Sequence, residues 1–327
     1  MQSRIFSGMR PTGKLHIGHL SVLENWVRLQ EEFHCFYGVV DWHALTTAFE
    51  DTGLIKANIK EMMLDWLSVG IDPKKSVVLV QSHIKEHAEL HLLLSMITPL
   101  SWLERVPTYK DQVKQLGLEG KDISTYGFLG YPVLQTADIL VYKANAVPVG
   151  EDQLPHLELC REIARRFNFL YNKQLFPEPQ PILAKVSLLP GIDGRKMSKS
   201  YHNDIPISAS TEELQEKIKM MITDPARVRK TDKGNPNVCV VYAYQKIYNL
   251  ENADHYAEFC RTAAIGCVAC KKELALKMDI LLEPIRQRRR QFEANPNLLW
   301  DILEDGAGRA REVAWQTLAE VRDAIGI

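Results

Sequence analysis

The sequence of 327 residues contains no apolar run that approaches the ~20 residues needed to cross a membrane as a helix. Its first residues, MQSRIFSGMRPTG, also lack the long apolar core of a secretory signal peptide. We therefore expect a protein of the reducing cytoplasm with no membrane partner, where structural disulfides are rare.

A large charge of either sign is also missing, because 40 Lys and Arg residues are balanced by 41 Asp and Glu residues. The balance argues against a generally basic nucleic-acid binder, although it leaves room for local basic surfaces. Two clusters qualify, RVRKTDK at 227–233 and RQRRR at 286–290. The alternative for each is an ordinary solvated helix or loop face.

Two common nucleotide-binding motifs are absent or incomplete. Residues 8–15, GMRPTGKL, nearly fit the pattern G-x-x-x-x-G-K-[ST], but Leu15 has no hydroxyl group for magnesium. No G-x-G-x-x-G follows the first predicted strand, which argues against a dinucleotide-binding dehydrogenase. A P-loop NTPase is therefore also disfavoured.

The first half of the chain alternates between strand and helix patterns. Short runs rich in β-branched or aromatic residues predict strands at 4–8, 35–41, 76–82 and 146–151. Periodic apolar residues predict helices at 15–32 and 54–69. This alternation predicts an α/β domain with a parallel sheet.

The pattern changes after about residue 205, where helical segments dominate to the C-terminus. Ser210 and Glu213 have the spacing of a capping box, which predicts that a helix begins at residue 211. The coarse prediction is an α/β catalytic domain at 1–205 followed by an all-α domain at 206–327.

Residues 16–19 read HIGH. If a helix begins here, His16 and His19 lie on one face of its first turn, where unpaired N–H groups already favour phosphate. Gly18 between them lets a flat base or ribose approach the backbone. The alternative is a pair of ordinary surface histidines.

Residues 194–200, GRKMSKS, follow a turn with Gly and Asp and predict a mobile basic loop. Lys196 and Lys199 carry point charges suited to phosphate oxygens, and Ser198 and Ser200 add hydroxyl donors. Alone this segment fits an ordinary solvated loop, but with HIGH in the same chain it is hard to attribute to chance.

The two motifs resemble the signatures of the class I aminoacyl-tRNA synthetases. SGMRPTGKLHIGHL, VDWHALTT, YPVLQTADIL and VPVGEDQLPHLELCREIARRFN narrow the resemblance to the bacterial tryptophanyl family, over most of the chain. The sister tyrosyl family is the runner-up, but there we expect a block nearer GGSDQ in place of VGEDQ. The resemblance implies a Rossmann-like catalytic domain, a helical C-terminal domain and a homodimer with an interface near 84–135.

The resemblance also implies a reaction. The tryptophan carboxylate attacks the α-phosphate of ATP, and the tryptophanyl group then passes to the 3′ end of tRNA(Trp). His16 and His19 would support the triphosphate, and Lys196 and Lys199 would hold the departing pyrophosphate with Mg²⁺. The implied nucleotide site also includes Arg10, Pro11, Thr12, Gly18, Gly150, Glu151, Asp152, Met197, Ser198 and Ser200. Arg10 departs from the glutamine common at this position in the family.

Gln135 and Asp138 stand three residues apart in an otherwise apolar helical segment, where a carboxylate is unfavourable unless it is paired. This face could instead point to solvent. The resemblance assigns the indole N–H to Asp138 and implies a tryptophan site made of Phe6, His43, Tyr131, Gln135, Asp138, Val147, Val149 and Gln153.

Four of the six cysteines, Cys239, Cys260, Cys267 and Cys270, follow the pattern C-x₂₀-C-x₆-C-x₂-C. Such a set suits zinc, a [4Fe–4S] cluster or four unligated thiols, and spacing does not decide between them. The sequence is similar to a subset of tryptophanyl enzymes with a C-terminal [4Fe–4S] cluster. A basic segment nearby is expected to meet the anticodon arm through Arg227, Arg229, Lys230 and Lys233.

Cys35 and Cys160 lie in a strand pattern and a helix pattern, so we predict that they are core residues. Two other classes of function remain as alternatives. The first is a synthetase-like paralogue that binds without catalysis, and the lysine loop argues against it because simple binding does not require that loop. The second is a small-molecule nucleotidyltransferase, and the helical C-terminal part argues against it.

Overall fold

The computed structural model describes residues 3–106, 124–183 and 189–327. Its centre is a five-stranded sheet in the order β3-β2-β1-β4-β5, in which every neighbouring pair is parallel. The strands are β1 Arg4–Met9, β2 His34–Val39, β3 Ser76–Val80, β4 Ala146–Val149 and β5 Gln180–Leu183. The predicted parallel α/β sheet and its first four strands are confirmed.

The sequence analysis missed β5 because its neighbourhood, FPEPQPIL, contains three prolines that suggest a loop. Proline is tolerated in a strand at the edge of a sheet, where one side of the backbone needs no partner. β5 occupies that position, beside β4 alone.

Helices cover both faces of the sheet, because successive side chains of a strand point to opposite sides. Ile5 faces a core that includes α1 and α3, and Phe6 faces a second core that includes α6 and α7. The helices of this part are α1 Leu20–Leu29, α2 Asp41–Ala48, α3 Ile55–Val69, α4 Glu86–Ser95, α5 Leu100–Glu104, α6 Tyr126–Leu140 and α7 Leu154–Leu170.

Every regular element that the structure describes after residue 205 is helical, as predicted. These helices are α8 Thr211–Met220, α9 Val240–Tyr248, α10 Ala253–Arg261, α11 Cys267–Glu293 and α12 Pro296–Ile325. The predicted cap of α8 is present, since the Ser210 side chain accepts a hydrogen bond from the Glu213 N–H. No helix in the described part of the chain is long and apolar enough to span a membrane.

The last helix protects the free edge of the sheet at β3. Arg309 of α12 donates hydrogen bonds to the carbonyl oxygens of Pro73 and Ser76, at 2.6 and 3.1 Å. Two residues along β3 from Ser76, the Val78 carbonyl faces Gly306, which has no side chain to keep the helix away. The edge carbonyls are thereby covered, which removes a template for aggregation.

The strand order reverses direction between β1 and β4, which lie side by side. The connections leave these two strands toward opposite sides and open a crevice at their carboxyl ends. Any ligand site of the sheet is therefore expected at residues that follow Met9 and Val149.

A glycine pair in α12 tests the contact with β3. A Cβ at Gly306 would lie 1.8 Å from the Val78 carbonyl oxygen, whereas nothing lies within 4 Å of a Cβ at Gly308. Gly306→Ala is expected to lower the free energy of unfolding by at least ~1–3 kcal/mol, since the helix must move. Gly308→Ala is expected to leave it unchanged or raise it by up to ~1 kcal/mol. Urea denaturation of both variants measures this, and equal effects would contradict the close approach.

Candidate active site

A cavity of about 390 Å³ lies at the crevice between β1 and β4. Its walls come from the ends of these strands and from α2 and α6. The structure brings every residue predicted for the tryptophan site into its lining: Phe6, His43, Tyr131, Gln135, Asp138, Val147, Val149 and Gln153. The lining thus combines apolar walls with several polar side chains, and such a concave site suits a small molecule that has both kinds of group.

The Asp138 carboxylate is the charged centre of this cavity, and only 1% of the residue is exposed. Its Oδ1 accepts from His87 Nδ1 at 2.6 Å, and its Oδ2 accepts from His43 Nε2 at 2.9 Å. The Gln81 amide donates to both oxygens, at 2.7 and 2.9 Å. The alternative that this helix face points to solvent is therefore wrong.

These hydrogen bonds decide the charge of Asp138. Burial by itself raises the pKa of a carboxyl group, but the donors on His43 and His87 outweigh it and lower the pKa of Asp138 to about 2. The carboxylate is therefore ionised at neutral pH, and its acceptor positions are occupied by protein donors.

The sequence analysis missed two of the donors that surround Asp138. Gln81 follows β3 directly, so its position at the carboxyl end of a buried strand was a usable signal. His87 lies inside α4 and has no such signal in the sequence. Its ring is placed between Asp138 and the Tyr142 hydroxyl, which lies 2.6 Å from Nε2, only by the tertiary fold. His156 was also missed, and its Nε2 lies 2.6 Å from the Tyr131 hydroxyl at the cavity wall.

The HIGH segment folds differently from the prediction. The α-helix begins at Leu20, and Ile17–His19 form a 3₁₀ turn before it. The reason is local: His16 caps this turn, since its Nδ1 accepts from the Gly18 N–H at 3.2 Å. Gly18 is required because a Cβ there would lie 2.9 Å from the His16 ring.

The two imidazole rings nevertheless face each other, with centroids 3.9 Å apart. Burial, followed by the charge of Lys199, lowers the pKa of His16 to about 4. Burial, followed by His16, lowers the pKa of His19 to about 4 as well. Both histidines are therefore neutral at pH 7.

The hydrogen bonds assign different roles to the neutral rings. His16 Nδ1 accepts, so its proton sits on Nε2, which is then a donor for an incoming oxygen. His19 Nδ1 lies 3.3 Å from the His16 carbonyl oxygen, which can only accept, so its proton sits on Nδ1. The neutral His16 is thus the ring that can donate from Nε2.

The lysine loop 194–200 packs directly on the HIGH segment. Lys199 Nζ donates to the Thr12 carbonyl oxygen at 2.5 Å, and Met197 is buried with its sulfur close to Gly18. Lys196 and Ser200 are exposed. The two motifs are therefore neighbours in space, although about 180 positions separate them in the printed sequence.

Asn203 holds this loop together and was not predicted. Its Nδ2 donates to Asp193 Oδ1 at 2.8 Å and to the Lys196 carbonyl at 3.1 Å, and its Oδ1 accepts from the Ser198 N–H at 2.8 Å. Because Asn203 is only 2% exposed, a buried side chain anchors the loop to the interior of the protein.

The remaining residues predicted for the nucleotide divide between the cavity lining and positions outside it. Arg10 and Gly150 are part of the cavity lining, and the Arg10 guanidinium lies 3.4 Å from the Thr47 hydroxyl. Glu151 and Asp152 are exposed in the short turn that precedes α7. The structure places Pro11, Thr12, Gly18, His19, Ser198 and the lysines outside the cavity wall.

The four cysteines of the C-terminal region converge on a second, small cavity of about 30 Å³. Cys239 stands before α9, Cys260 lies in α10, and Cys267 and Cys270 lie in the first turn of α11. Within residues 3–106, 124–183 and 189–327, no group of three or more His, Cys, Asp or Glu side chains is arranged to hold a metal ion. The four thiols therefore line one cavity but are not arranged as a metal site.

Cys35 and Cys160 are buried, as predicted for core residues. The basic segment at 227–233 is mixed, since Arg229, Lys230 and Lys233 are exposed but the Arg227 guanidinium donates to the Ile265 carbonyl at 2.6 Å. The cluster at 286–290 is not a solvated face. Its members Arg286 and Arg289 are only 6% and 5% exposed and form ion pairs.

The sheet order, the crevice site and the adjacent histidine and lysine motifs define a class I aminoacyl-tRNA synthetase fold. The family profile described as "tRNA synthetases class I (W and Y)" matches residues 1–283. The chain belongs to this family.

Relatives of known function cover the whole chain. A tryptophan–tRNA ligase of Thermotoga maritima is 55% identical over 99% of both chains. One of Aquifex aeolicus is 44% identical over 99% of this chain and 100% of its own. The crystal structure of tryptophanyl-tRNA synthetase from Campylobacter jejuni complexed with ADP and tryptophan has a TM-score of 0.88 and 32% identity, and covers 99% of this chain and 100% of that chain.

The neutral histidines give a testable consequence. In the folded protein the ring protons of His16 and His19 are expected to titrate near pH 4, against 6.5 for the unfolded chain. Between these values the unfolded chain binds more protons, so the contribution of the two histidines to the free energy of unfolding decreases as the pH falls from 6.5 to 4.

NMR of the imidazole Cε1 protons measures these titrations, with His16→Asn and His19→Asn variants to assign the signals. The same protein in urea serves as the reference for the unfolded chain. A midpoint near 6.5 in the folded protein would contradict the assignment of neutral rings.

Proposed function

We infer that this chain is a tryptophan–tRNA ligase, which activates L-tryptophan with ATP and transfers it to the 3′ end of tRNA(Trp). The observation that carries the inference is the ionised, buried Asp138 in a cavity of about 390 Å³ between β1 and β4, whose apolar walls include Phe6, Val147 and Val149. An indole ring has one polar atom, a donor-only N–H, and a carboxylate is an acceptor. The tryptophan–tRNA ligase relatives support the same conclusion.

For the amino acid we propose that the indole N–H reaches Asp138 while the ring lies among Phe6, Val147 and Val149. All these side chains line the cavity. The carboxylate already accepts four contacts from its protein donors. Since a carboxylate offers about four acceptor positions, the indole must replace one donor. His43, which lines the cavity, is the one within reach of the ligand.

The remaining polar groups are proposed for the ammonium and carboxylate end of tryptophan. Tyr131, Gln135 and Gln153 line the same cavity, and Gln153 Nε2 donates to Asp152 Oδ2 at 2.7 Å. Held there, the tryptophan carboxylate points out of the crevice toward the HIGH segment. This arrangement positions the nucleophile for attack on the α-phosphate.

For ATP we propose that the HIGH segment and the lysine loop hold the triphosphate between them. His16 offers an Nε2–H donor, and the mutual packing of Lys199 and Met197 against this segment supports the arrangement. Lys196, exposed in the same loop, and Lys199 are assigned to the leaving pyrophosphate with Mg²⁺. Arg10, Thr12, Gly18, Gly150, Glu151, Asp152 and Ser200 are proposed to frame the nucleotide.

We propose further that Cys239, Cys260, Cys267 and Cys270 hold a [4Fe–4S] cluster. Their convergence on one cavity supports this, because a [4Fe–4S] cluster takes one thiolate on each of its four irons. Zinc, the alternative, needs four such ligands in a tetrahedral set. The described residues contain no group arranged to hold a metal ion, so the geometry does not choose between zinc and the cluster. When bound, the cluster would cross-link α9, α10 and α11.

The exposed Arg229, Lys230 and Lys233 lie in the segment that meets this cavity through Arg227. We propose that this surface of the C-terminal domain, 206–327, contacts the anticodon arm of the tRNA, while the domain at 1–205 carries the chemistry. Basic side chains on one surface suit the phosphates of an RNA backbone. Since its substrates are ATP and tRNA, we place the reaction in the cytoplasm.

A homodimer with an interface near 84–135 is also proposed. Within the described part of this segment Leu92, Met96, Leu100 and Tyr126 are between 52% and 72% exposed, which supports an apolar contact with a second copy. Residues 107–123 of the segment lie outside the described residues.

ATP–pyrophosphate exchange, driven by tryptophan or by tyrosine in parallel, tests the activation step. Exchange with tryptophan alone is expected. Asp138→Asn is expected to lower kcat/KM for tryptophan by about 10- to 100-fold, the worth of one hydrogen bond to a charged group, and to leave the KM for ATP unchanged. Asp323→Asn, an exposed carboxylate of α12, serves as the matched control.

Exchange with tyrosine would move the protein to the sister family and make the assignment of Asp138 to an indole wrong. Wild-type protein that supports exchange with neither amino acid would favour a paralogue that binds without catalysis.

Metal content tests the cluster. Protein purified without oxygen is expected to be brown and to hold about four irons per chain, and Cys267→Ser is expected to lose them. Cys160→Ala removes a buried thiol that does not line the cysteine cavity and is expected to keep the iron. Colourless protein with stoichiometric zinc would overturn the proposal.

A further inference from the structure

The backbone that enters the HIGH segment is held by a buried carboxylate from another part of the fold. Asp65 of α3 is 0% exposed, and its Oδ2 accepts from the Leu15 N–H at 2.6 Å. Leu15 directly precedes His16, so this hydrogen bond sets where the histidine turn begins. The motif itself cannot supply this contact, because Asp65 lies 50 residues away.

Asp65 is in turn paired with the C-terminal part of the chain. Its Oδ1 accepts from Arg289 Nη1 of α11 at 2.5 Å, and Arg289 is 5% exposed. The other nitrogens of the same guanidinium donate to Glu61 at 2.5 Å and to Glu293 at 2.8 Å. All three nitrogens are occupied, which fixes the position of the arginine.

The segment after the lysine loop completes the arrangement. The Ile207 N–H donates to the Leu15 carbonyl, and the Ile17 N–H donates to the Ile205 carbonyl, both at 2.9 Å. One turn before Arg289, Arg286 Nη1 donates to the Ala209 carbonyl at 3.0 Å. α11 is therefore bonded both to the residues that enter the HIGH segment, through Asp65, and to Ala209 in the segment that follows the lysine loop.

We propose that Asp65 and Arg289 are positioning residues for amino-acid activation, through which α11 fixes the distance between the histidine turn and the lysine loop. The proposal rests on the function inferred above. Neither residue lines the tryptophan cavity. A buried ion pair is also weak as a source of stability, because two apolar residues of similar size serve equally well.

The first test is Arg289→Met in tryptophan-dependent ATP–pyrophosphate exchange. A displacement of about 1 Å in the histidine turn is expected to lower kcat about 10²-fold, with the KM for tryptophan unchanged because its cavity is intact. Arg290→Met is the matched control, since it removes the neighbouring guanidinium, which is largely exposed and does not touch Asp65. Equal activity of both variants would overturn the proposal.

A double variant separates the effect of the pair on the position of the histidine turn from its effect on the stability of the protein. Asp65→Leu with Arg289→Met removes both buried charges, so its unfolding temperature is expected to return toward that of the wild type. The Leu15 N–H still lacks its acceptor, and kcat is expected to stay low. Recovery of kcat together with stability would show that the pair serves the fold alone.

Hydrogen exchange reports the same contact without any substrate. In Arg289→Met and in the double variant, the Leu15 and Ile17 amides are expected to exchange at least about tenfold faster than in the wild type and in Arg290→Met. Unchanged exchange would overturn the proposal. Wild-type protein that lacks tryptophan-dependent activity would instead refute the inferred function. The hydrogen-exchange measurement would still test whether Arg289 holds the backbone at Leu15 and Ile17.

Discussion

The reversal of strand order between β1 and β4 is the constraint on which the site depends. Parallel strands end at the same edge of a sheet, and neighbouring connections that diverge leave a crevice there. The cavity that contains Asp138 fills this crevice and takes its walls from residues at the ends of both strands. The HIGH segment follows β1, and Gly150, Glu151 and Asp152 follow β4, so both groups come directly after the strands that border the crevice.

Two buried carboxylates organise the rest, and each is compensated in a different way. Asp138 is surrounded by imidazole and amide donors and stays ionised while it faces a cavity. Asp65 is matched by the guanidinium of Arg289 and a backbone N–H, and it does not line the cavity that Asp138 faces. An unpaired buried charge would cost several kcal/mol, so both arrangements require partners from distant parts of the chain.

The helical C-terminal region is continuous with the catalytic sheet in its packing. α11 lies along α3, and α12 covers the edge of β3 through Gly306 and Arg309. Some basic residues of these helices therefore stabilise the fold through buried ion pairs, as Arg286 and Arg289 do. Charge counts alone cannot separate such buried arginines from exposed ones, because both look alike in a sequence.

The sequence by itself determined the α/β alternation, the first four strands, the helical second half, and the HIGH and KMSKS motifs. Local patterns suffice there, since strand and helix periods and short motifs are properties of neighbouring residues. The sequence also placed Asp138 in an apolar helical segment, where a carboxylate is unfavourable unless it is paired. It failed at β5, where the prolines were compatible with an edge strand, and at His16, whose cap starts a 3₁₀ turn before the helix.

Only the tertiary structure decided which side chains meet. Gln81 and His87 reach Asp138 across 57 and 51 positions, and Arg289 reaches Asp65 across 224. The convergence of four cysteines on one small cavity is likewise a product of how α9, α10 and α11 pack. Contacts of this kind follow from the burial of apolar faces over the whole chain, and no local pattern records them.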